Sequence, residues 1–440
     1  MNTKLASEKK EWYLSRFPGF EANLNGNRAG ELHQTRKKAL EAFNTLGFPS
    51  NRHEEWKYTN VTPLLKEEFE MGVEGKVIAA DVAQFTYDDF NENVLVFVNG
   101  HYSAELSRCE SLGNGVSVKN LSRSLHDDDS SLKDHLFNYA SFDDEAFTAL
   151  NTAFTQDGTV IIVDDNADIK NPLQLLYLSD AREEGTFNNP RNLVVAGTNS
   201  RIKIVETFHA LGDKPVFNNV VTEAVVAEGG NVEYIRIQEE NTNSFHICNF
   251  QTELAKSSNF SLLNFDLGSR LVRNNLGIRL GARDIEAHLI GFYMGTGNQH
   301  MDSHTTIDHA MPNCLSNELY KGVLGGKARG VFNGKVFVRK DAQKTNAYQT
   351  NQAMLLTDTA GVDTKPQLEI YADDVKCSHG ATVGQMDEEA VFYLRSRGIP
   401  EEVARAQLQY AFASDVFNYV SIESVRNRLD EKVLARFANL

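Results

Sequence analysis

The chain has few cysteines, and none of them stand at paired spacings. Cys109, Cys248, Cys314 and Cys377 are spread over 440 residues. A disulfide framework or a closed structural zinc motif needs cysteines at short, regular intervals. This pattern argues against both kinds of site and predicts reduced thiols in a cytoplasmic protein.

Positive charge and long apolar runs are also scarce. The chain has 44 Lys and Arg against 60 Asp and Glu, which gives a net charge of −16. Binding to nucleic acid or to an anionic membrane needs a basic surface, so neither partner is expected. No run approaches the roughly 18 apolar residues of a membrane span. The opening residues resemble neither a signal peptide nor a transit peptide, which again predicts a cytoplasmic location.

Phosphate-binding loops are missing as well. Gly326-Lys327 and Gly334-Lys335 lack both the leading glycine and the following hydroxyl residue of a nucleotide-binding P-loop. The Gly295-Thr296-Gly297 segment lacks the third glycine of a dinucleotide loop. The chain is therefore predicted to bind no nucleotide itself.

The pattern of apolar residues changes twice along the chain and predicts three parts. Residues 1–150 mix helical periodicity with a hairpin signal at Asn99-Gly100. Residues 151–385 carry short β-type runs about every dozen residues, which fit an all-β sandwich, a barrel or a solenoid with about two dozen residues per coil. Residues 386–440 are helical again, and this tail is too small for a core of its own.

One dense cluster of metal-ligand types lies between residues 297 and 321. His300 and His304 alternate with Asp302, and His309 and Cys314 follow. Imidazole, carboxylate and thiolate groups together suit iron or zinc. The spacing matches no closed zinc motif, however, and a ladder of buried hydrogen bonds is the favoured interpretation.

A sharper pair is formed by Cys377 and His379. Residues two apart on a strand share one face, so the thiol and the imidazole are expected to lie side by side. Thiolate with imidazole favours iron and similar metals. A structural role and a Cys–His nucleophile pair stay open as alternatives, although the latter usually joins distant positions and a third orienting group.

Five segments carry a resemblance to a known family. They are Glu54–Val61, His304–Leu324, Gly334–Leu356, Val362–Gly384 and Phe392–Ile399. Together they resemble the SufB/SufD family of the SUF iron–sulfur cluster assembly system. Within it, the SufD branch is favoured, because the SufB branch typically has a glutamate where this chain has Gly380 and a cysteine where it has Leu394.

The resemblance implies a right-handed parallel β-helix between two helical parts. It also implies a non-enzymatic scaffold in a complex with a SufB-like protein and two copies of a SufC-like ATPase. In the family the β-helices join edge to edge, and the nascent cluster forms near that junction. His379 matches the implicated histidine, and Cys377 matches a neighbouring cysteine. A homodimer of the isolated chain stays open.

The C-terminal helices are expected to dock on the ATPase. Their apolar stripe should leave a free surface. It consists of Phe392, Val403, Leu408, Phe412 and Val416.

Two other functions are compatible with the residues. One is a passive structural partner without a ligand role. The other is a carbohydrate-active β-helix enzyme that would use carboxylates such as Asp302, Asp308 and Asp373.

Overall fold

The structure is a computed structural model. It describes residues 3–24, 30–72, 75–90, 92–109, 112–126 and 130–438. None of the helices in these ranges is long and apolar enough to cross a membrane.

The N-terminal part combines helices with short strands. In chain order it contains α1 Thr3–Ala22, α2 Glu31–Leu46, a 3-10 turn Glu54–Trp56, α3 Thr62–Lys66, β1 Glu70–Met71, α4 Ala79–Ala83, a 3-10 turn Asp88–Phe90, β2 Asn93–Val98, β3 His101–Tyr102, β4 Arg108–Cys109, β5 Val116–Asn120, α5 Leu121–His126, α6 Ser130–Lys133 and α7 Ala146–Ala153. As predicted, β2 and β3 pair antiparallel around Asn99 and Gly100, which both have positive φ.

The central part is built entirely from strands. They are β6 Thr159–Val163, β7 Leu173–Asp180, β8 Thr186–Asn188, β9 Arg191–Ala196, β10 Arg201–Leu211, β11 Val216–Val226, β12 Asn231–Glu239, β13 Phe245–Leu254, β14 Asn259–Asp266, β15 Leu271–Leu280, β16 Glu286–Gly295, β17 His300–His309, β18 Leu315–Leu324, β19 Arg329–Val338, β20 Asn346–Leu355, β21 Gly361–Ile370 and β22 Lys376–Gln385.

These strands form a parallel β-helix, as the family resemblance implied. From β9 onward, alternate strands stack in parallel, so β9, β11 and their successors through β21 build a first sheet. The sequence β10, β12 and so on to β22 builds a second sheet that faces it. The two sheets enclose the main hydrophobic core, which contains side chains such as Phe250, Leu289 and Phe332.

Each coil is longer than the expected two dozen residues. Phe245 pairs with Leu271, which lies 26 residues further along the chain, and Arg329 pairs with Gly361, 32 residues further along. The apolar runs in the sequence were shorter than the strands because polar side chains also point into the coil. Glu318 and Asn351, for example, are fully buried within strands of ten residues.

The C-terminal part consists of α8 Glu388–Ser396, α9 Glu401–Phe417 and α10 Glu423–Phe437. Asp387 caps α8 by accepting hydrogen bonds from the amides of Glu389 and Ala390. Helices α9 and α10 pack on the outer face of the second sheet, where Phe417 contacts Phe265 and Phe292. The small tail thus shares its core with the β-helix.

Candidate functional site

The candidate site lies at the end of the β-helix, where stacking stops. Strand β22 pairs only with β20, and β21 is the last strand of the other sheet. Within the described residues, no further coil covers either strand. We call this region, formed by β21 and β22, the open end. An exposed strand edge offers unpaired N–H and C=O groups to another chain.

Cys377 and His379 both lie on β22. They are in register with Ala347 and Gln349 of β20, whose side chains are buried inside the coil. Residues aligned in parallel strands keep the same face, so the pair points toward the coil interior. Cys377 is half-buried against the small apolar cluster that includes Ala347, whereas His379 is exposed.

This geometry agrees with one part of the sequence prediction and corrects another. The pair shares a face and lies on an edge strand, as expected. The prediction that it would lie outside the coil is wrong, because its face continues the interior column of Ala347 and Gln349. His379 is nevertheless accessible, since nothing stacks on the last coil in the described part of the chain.

The environment of Cys377 bears on its chemistry. Burial raises the pKa of the thiol, against the weaker opposing effect of a hydrogen bond from the backbone of Ala347. A raised pKa disfavours the free thiolate that a nucleophile requires. The Cys–His nucleophile alternative is therefore weakened, whereas a metal ion can still displace the thiol proton on binding.

Behind the pair, a short polar chain runs into the coil. The Gln349 amide nitrogen donates to Glu318 Oε2 over 2.7 Å, and Thr305 donates its hydroxyl to Glu318 Oε1. All three side chains are buried. None of these three residues was among the predicted site residues. The available signal was the row of polar residues at alternate positions within β-type runs.

Glu318 should make stability depend on pH. Burial raises its pKa from 4.5 to about 7, against the hydrogen bonds from Thr305 and Gln349. The folded protein therefore holds a proton that the unfolded chain releases, and its free energy of unfolding falls as pH rises through this window. Glu318→Gln should remove this loss, so the variant gains on the order of 2–4 kcal/mol over the wild type between about pH 4.5 and pH 8.

Urea denaturation at about pH 5 and pH 8 measures this difference, with Glu228→Gln as a control at an exposed position. Equal pH dependence in the wild type and Glu318→Gln would contradict the prediction.

The fold divides the cluster from His300 to Cys314: His300, Asp302 and His304 stay together on one face of β17, and His309 and Cys314 lie elsewhere. His300 contacts the Thr59 hydroxyl at 2.8 Å, and His304 contacts Glu55 at 3.1 Å, so both face the N-terminal part. His309 points into the coil, where it contacts Ser316 at 2.8 Å. The Cys314 thiol donates to a backbone carbonyl in a turn.

Metal binding by that cluster is therefore not supported. Across the described ranges, no group of three or more His, Cys, Asp or Glu side chains is placed to hold a metal ion. Alternation of side chains along β17 sends His304 and His309 to opposite faces, which separates the candidate ligands. The structure instead shows buried hydrogen bonds, which was the favoured interpretation.

Two of the three carboxylates considered for a carbohydrate-active enzyme, Asp302 and Asp308, are held in ion pairs. Asp302 is buried and bonds to Arg273 over 2.7 Å. Burial alone would raise the pKa of Asp302, but Arg273 and His304 outweigh it and lower that pKa. Asp308 forms a two-point contact with Arg339. With its pKa lowered, Asp302 does not resemble the raised-pKa acid that a glycosidase needs.

The predicted docking stripe is only partly a surface. Val416 is fully buried against the second sheet, and Phe412 is half-buried with the Lys321 ammonium 4.8 Å from its ring centroid. Leu408 is half-buried beside Met386. The prediction of a free stripe is wrong for Val416, whereas Phe412 and Leu408 keep part of their surface, because the short tail needs the β-helix to complete its core.

The three most exposed large apolar residues of the C-terminal part lie on α8 and at the start of α9. Phe392 is 72% exposed, Tyr393 is 55% exposed and Val403 is 45% exposed. We call these three residues the α8–α9 patch. Tyr393 was missed in the sequence, although it is adjacent to Phe392 and equally apolar in character. A cluster of exposed large side chains is typical of a protein-binding surface.

Comparison with known proteins identifies relatives of the whole chain. The family model for the N-terminal region of SufBD proteins matches residues 7–175. The model described as "SUF system FeS cluster assembly, SufBD core domain" matches residues 177–412.

Individual relatives span nearly the full length. An iron–sulfur cluster assembly SufBD family protein of Synechocystis is 32% identical over 94% of this chain and 93% of its own. The iron–sulfur cluster assembly protein SufD of Escherichia coli is 33% identical over 90% of each chain. The chloroplastic protein ABCI7 of Arabidopsis thaliana is 28% identical over 90% of this chain and 84% of its own. With a parallel β-helix between two helical parts and both family models matched, this chain belongs to the SufB/SufD family of the SUF iron–sulfur cluster assembly system.

Proposed function

We propose that the protein is a scaffold subunit of the SufD type, which lends His379, together with Cys377, to an iron–sulfur cluster assembled at a junction with a SufB-like partner. The observation that supports this most strongly is the position of a thiol and an exposed imidazole on the last, uncovered strand of the β-helix. The chain provides ligands and carries out no chemistry of its own.

The number of ligands requires a partner. Iron in clusters usually takes four ligands, and thiolate and imidazole are both suitable. Cys377 and His379 provide two, and no third metal-binding side chain joins them in the part of the chain that the structure describes. The SufB-like partner therefore contributes the remaining protein ligands, and the cluster is held transiently between the two chains.

The edge of β22 is the better of the two edges for pairing with a partner. Strand β21 contains Pro366, which has no N–H to donate to a neighbouring strand. Strand β22 contains no proline, so its outer edge keeps all its donors. Pairing along this edge would place the partner beside His379.

Nucleotide hydrolysis comes from a second partner, a SufC-like ATPase that docks on the α8–α9 patch. Helix α8 contacts α9 and the adjoining end of β22 through a small apolar cluster around Met386, Val391 and Ala404. Two ion pairs, Arg405–Glu388 and Arg395–Glu401, also join α8 to α9. Movement of this helix by the ATPase can therefore be transmitted to the open end, because Met386 directly follows β22. The motion of α8 would alter the access of iron and sulfide to His379.

The docking surface can be tested by Phe392→Asp. Because Phe392 is largely exposed, the charge should leave the thermal midpoint unchanged. It should weaken association with the ATPase by about tenfold or more, as expected for the loss of an aromatic anchor. Ile78→Asp, at an equally exposed apolar residue of the N-terminal part, is the matched control. Titration of the ATPase onto each variant measures the affinity, and equal binding to both would contradict this docking site.

The proposed function as a whole is tested by co-expression with a SufB-like protein and a SufC-like ATPase. A stable complex that contains iron and sulfide when purified without air is the expected result. A complex that keeps its normal iron and sulfide content when the proposed ligands Cys377 and His379 are replaced would support the alternative of a passive structural partner.

A further inference from the structure

The amide of Gln349 is buried with only one of its two polar groups hydrogen-bonded. Its side chain is buried, with 1% exposure, and its nitrogen donates to Glu318. Its oxygen, Oε1, is also buried but has no hydrogen-bond partner. A buried acceptor without a partner costs about 1–3 kcal/mol, so a native protein normally supplies one.

The neighbour best placed to supply a donor is His379. The two residues are directly in register on β20 and β22, and parallel neighbours lie about 4.8 Å apart. Both side chains point to the interior face of the coil, because Gln349 is buried there and register preserves the face. A neutral imidazole has one N–H donor and one acceptor nitrogen.

We propose that Gln349 is a positioning residue for His379: its amide oxygen accepts a hydrogen bond from one imidazole nitrogen and thereby leaves the other nitrogen free to bind iron. Histidine ligands commonly donate their second N–H to a nearby acceptor, which fixes both the tautomer and the ring orientation. The inference rests on the proposed ligand role of His379.

Hydrogen bonds to Glu318 fix the orientation of the Gln349 amide. The Gln349 nitrogen is bonded to Glu318 Oε2, and Glu318 Oε1 is bonded to the hydroxyl of Thr305 on the opposite sheet. Above the raised pKa of Glu318, about 7, rotation of the amide by half a turn would bring its oxygen against an ionised carboxylate. The oxygen is therefore left on the side away from Glu318, and β22 is the strand that pairs with β20 on that side.

The test compares the tautomer of His379 in the isolated chain by nitrogen NMR of labelled histidine. The measurement is made at about pH 8.5, above the ordinary range of imidazole titration. His379→Ala identifies the signals. The wild type is expected to hold one tautomer in at least about tenfold excess, equivalent to about 1.4 kcal/mol. Gln349→Met, which keeps the size but removes the acceptor, should reduce that excess several-fold.

Two further variants make the result specific. Gln349→Asn retains the amide, but its shorter side chain places the amide further from His379. It should therefore shift the ratio in the same direction as Gln349→Met. It also serves as the second variant if Gln349→Met disturbs the fold. Gln352→Met, on the outer face of the same strand, should leave the ratio unchanged.

The outcomes separate this inference from the proposed function. An identical tautomer ratio in the wild type, Gln349→Met and Gln349→Asn would overturn the positioning role, whatever the cluster content. A shifted ratio supports it, even where the His379→Ala complex assembles a normal cluster. That second result would overturn the ligand role of His379 alone.

Discussion

Replacing His379 with alanine is expected to lower the iron and sulfide content of the complex by at least about tenfold. A side chain that binds the metal directly should matter at least as much as a group that hydrogen-bonds to a metal ligand, whose loss typically costs 10- to 100-fold in metal affinity. The fold should be unaffected, because His379 is exposed on a strand that ends the β-helix. Backbone pairing with β20 does not depend on this side chain.

The measurement is iron and sulfide analysis of the three-protein complex, purified without air. His288→Ala is the matched control, since this histidine lies on β16 of the same sheet, away from the open end, and contacts Glu286. Its removal should leave the cluster content unchanged. Normal cluster content in the His379→Ala complex would refute the ligand role and favour the passive structural partner.

Cys377→Ala should reduce the cluster content less than His379→Ala. The thiol is half-buried against apolar side chains, and its raised pKa opposes release of the proton. An effect as large as that of His379→Ala would show that both groups bind the cluster. The same anaerobic analysis decides between these outcomes.

Removing the carboxylate of Glu223 is expected to destabilise the folded protein by about 3–5 kcal/mol. Glu223 and Arg191 form a fully buried ion pair at 2.7 Å. The same carboxylate accepts hydrogen bonds from the backbone amides of Phe137, Tyr139 and Ala140. Glu223→Ala would leave a buried guanidinium unpaired and release the segment that joins the N-terminal part to the first sheet.

The expected result is a large fall in the urea midpoint, measured by fluorescence and by circular dichroism. Glu228→Ala provides the control, because Glu228 forms an exposed pair with Lys256 at 2.5 Å and should contribute less than about 1 kcal/mol. A loss in Glu223→Ala as small as that in the control would contradict a structural role for the buried pair.

The candidate site was only partly predictable from the sequence. The thiol and imidazole at residues 377 and 379 stand two apart, and that spacing alone requires a shared face on any strand. Gln349 lies 30 residues before His379, and only the strand register brings the two together. The contact of His304 with Glu55 spans 249 positions, so it could not be inferred from local spacing.

Burial of the C-terminal helices was likewise not predictable from local sequence patterns. Helical periodicity correctly placed Leu408, Phe412 and Val416 on one stripe. Periodicity reports which residues share a face but not what covers that face. The β-helix covers Val416, which leaves the α8–α9 patch exposed instead.

The sequence by itself determined the three-part organisation, the β-rich centre and the family. These features can be predicted from local patterns and from motifs such as the segment Val362–Gly384. Predicting them requires no information about tertiary contacts. Only the tertiary structure decided the coil length, the interior direction of Cys377 and His379, and the polar chain behind them. The physical reason is that parallel strands pair with residues about 30 positions away, and this register, rather than local propensity, selects which side chains meet.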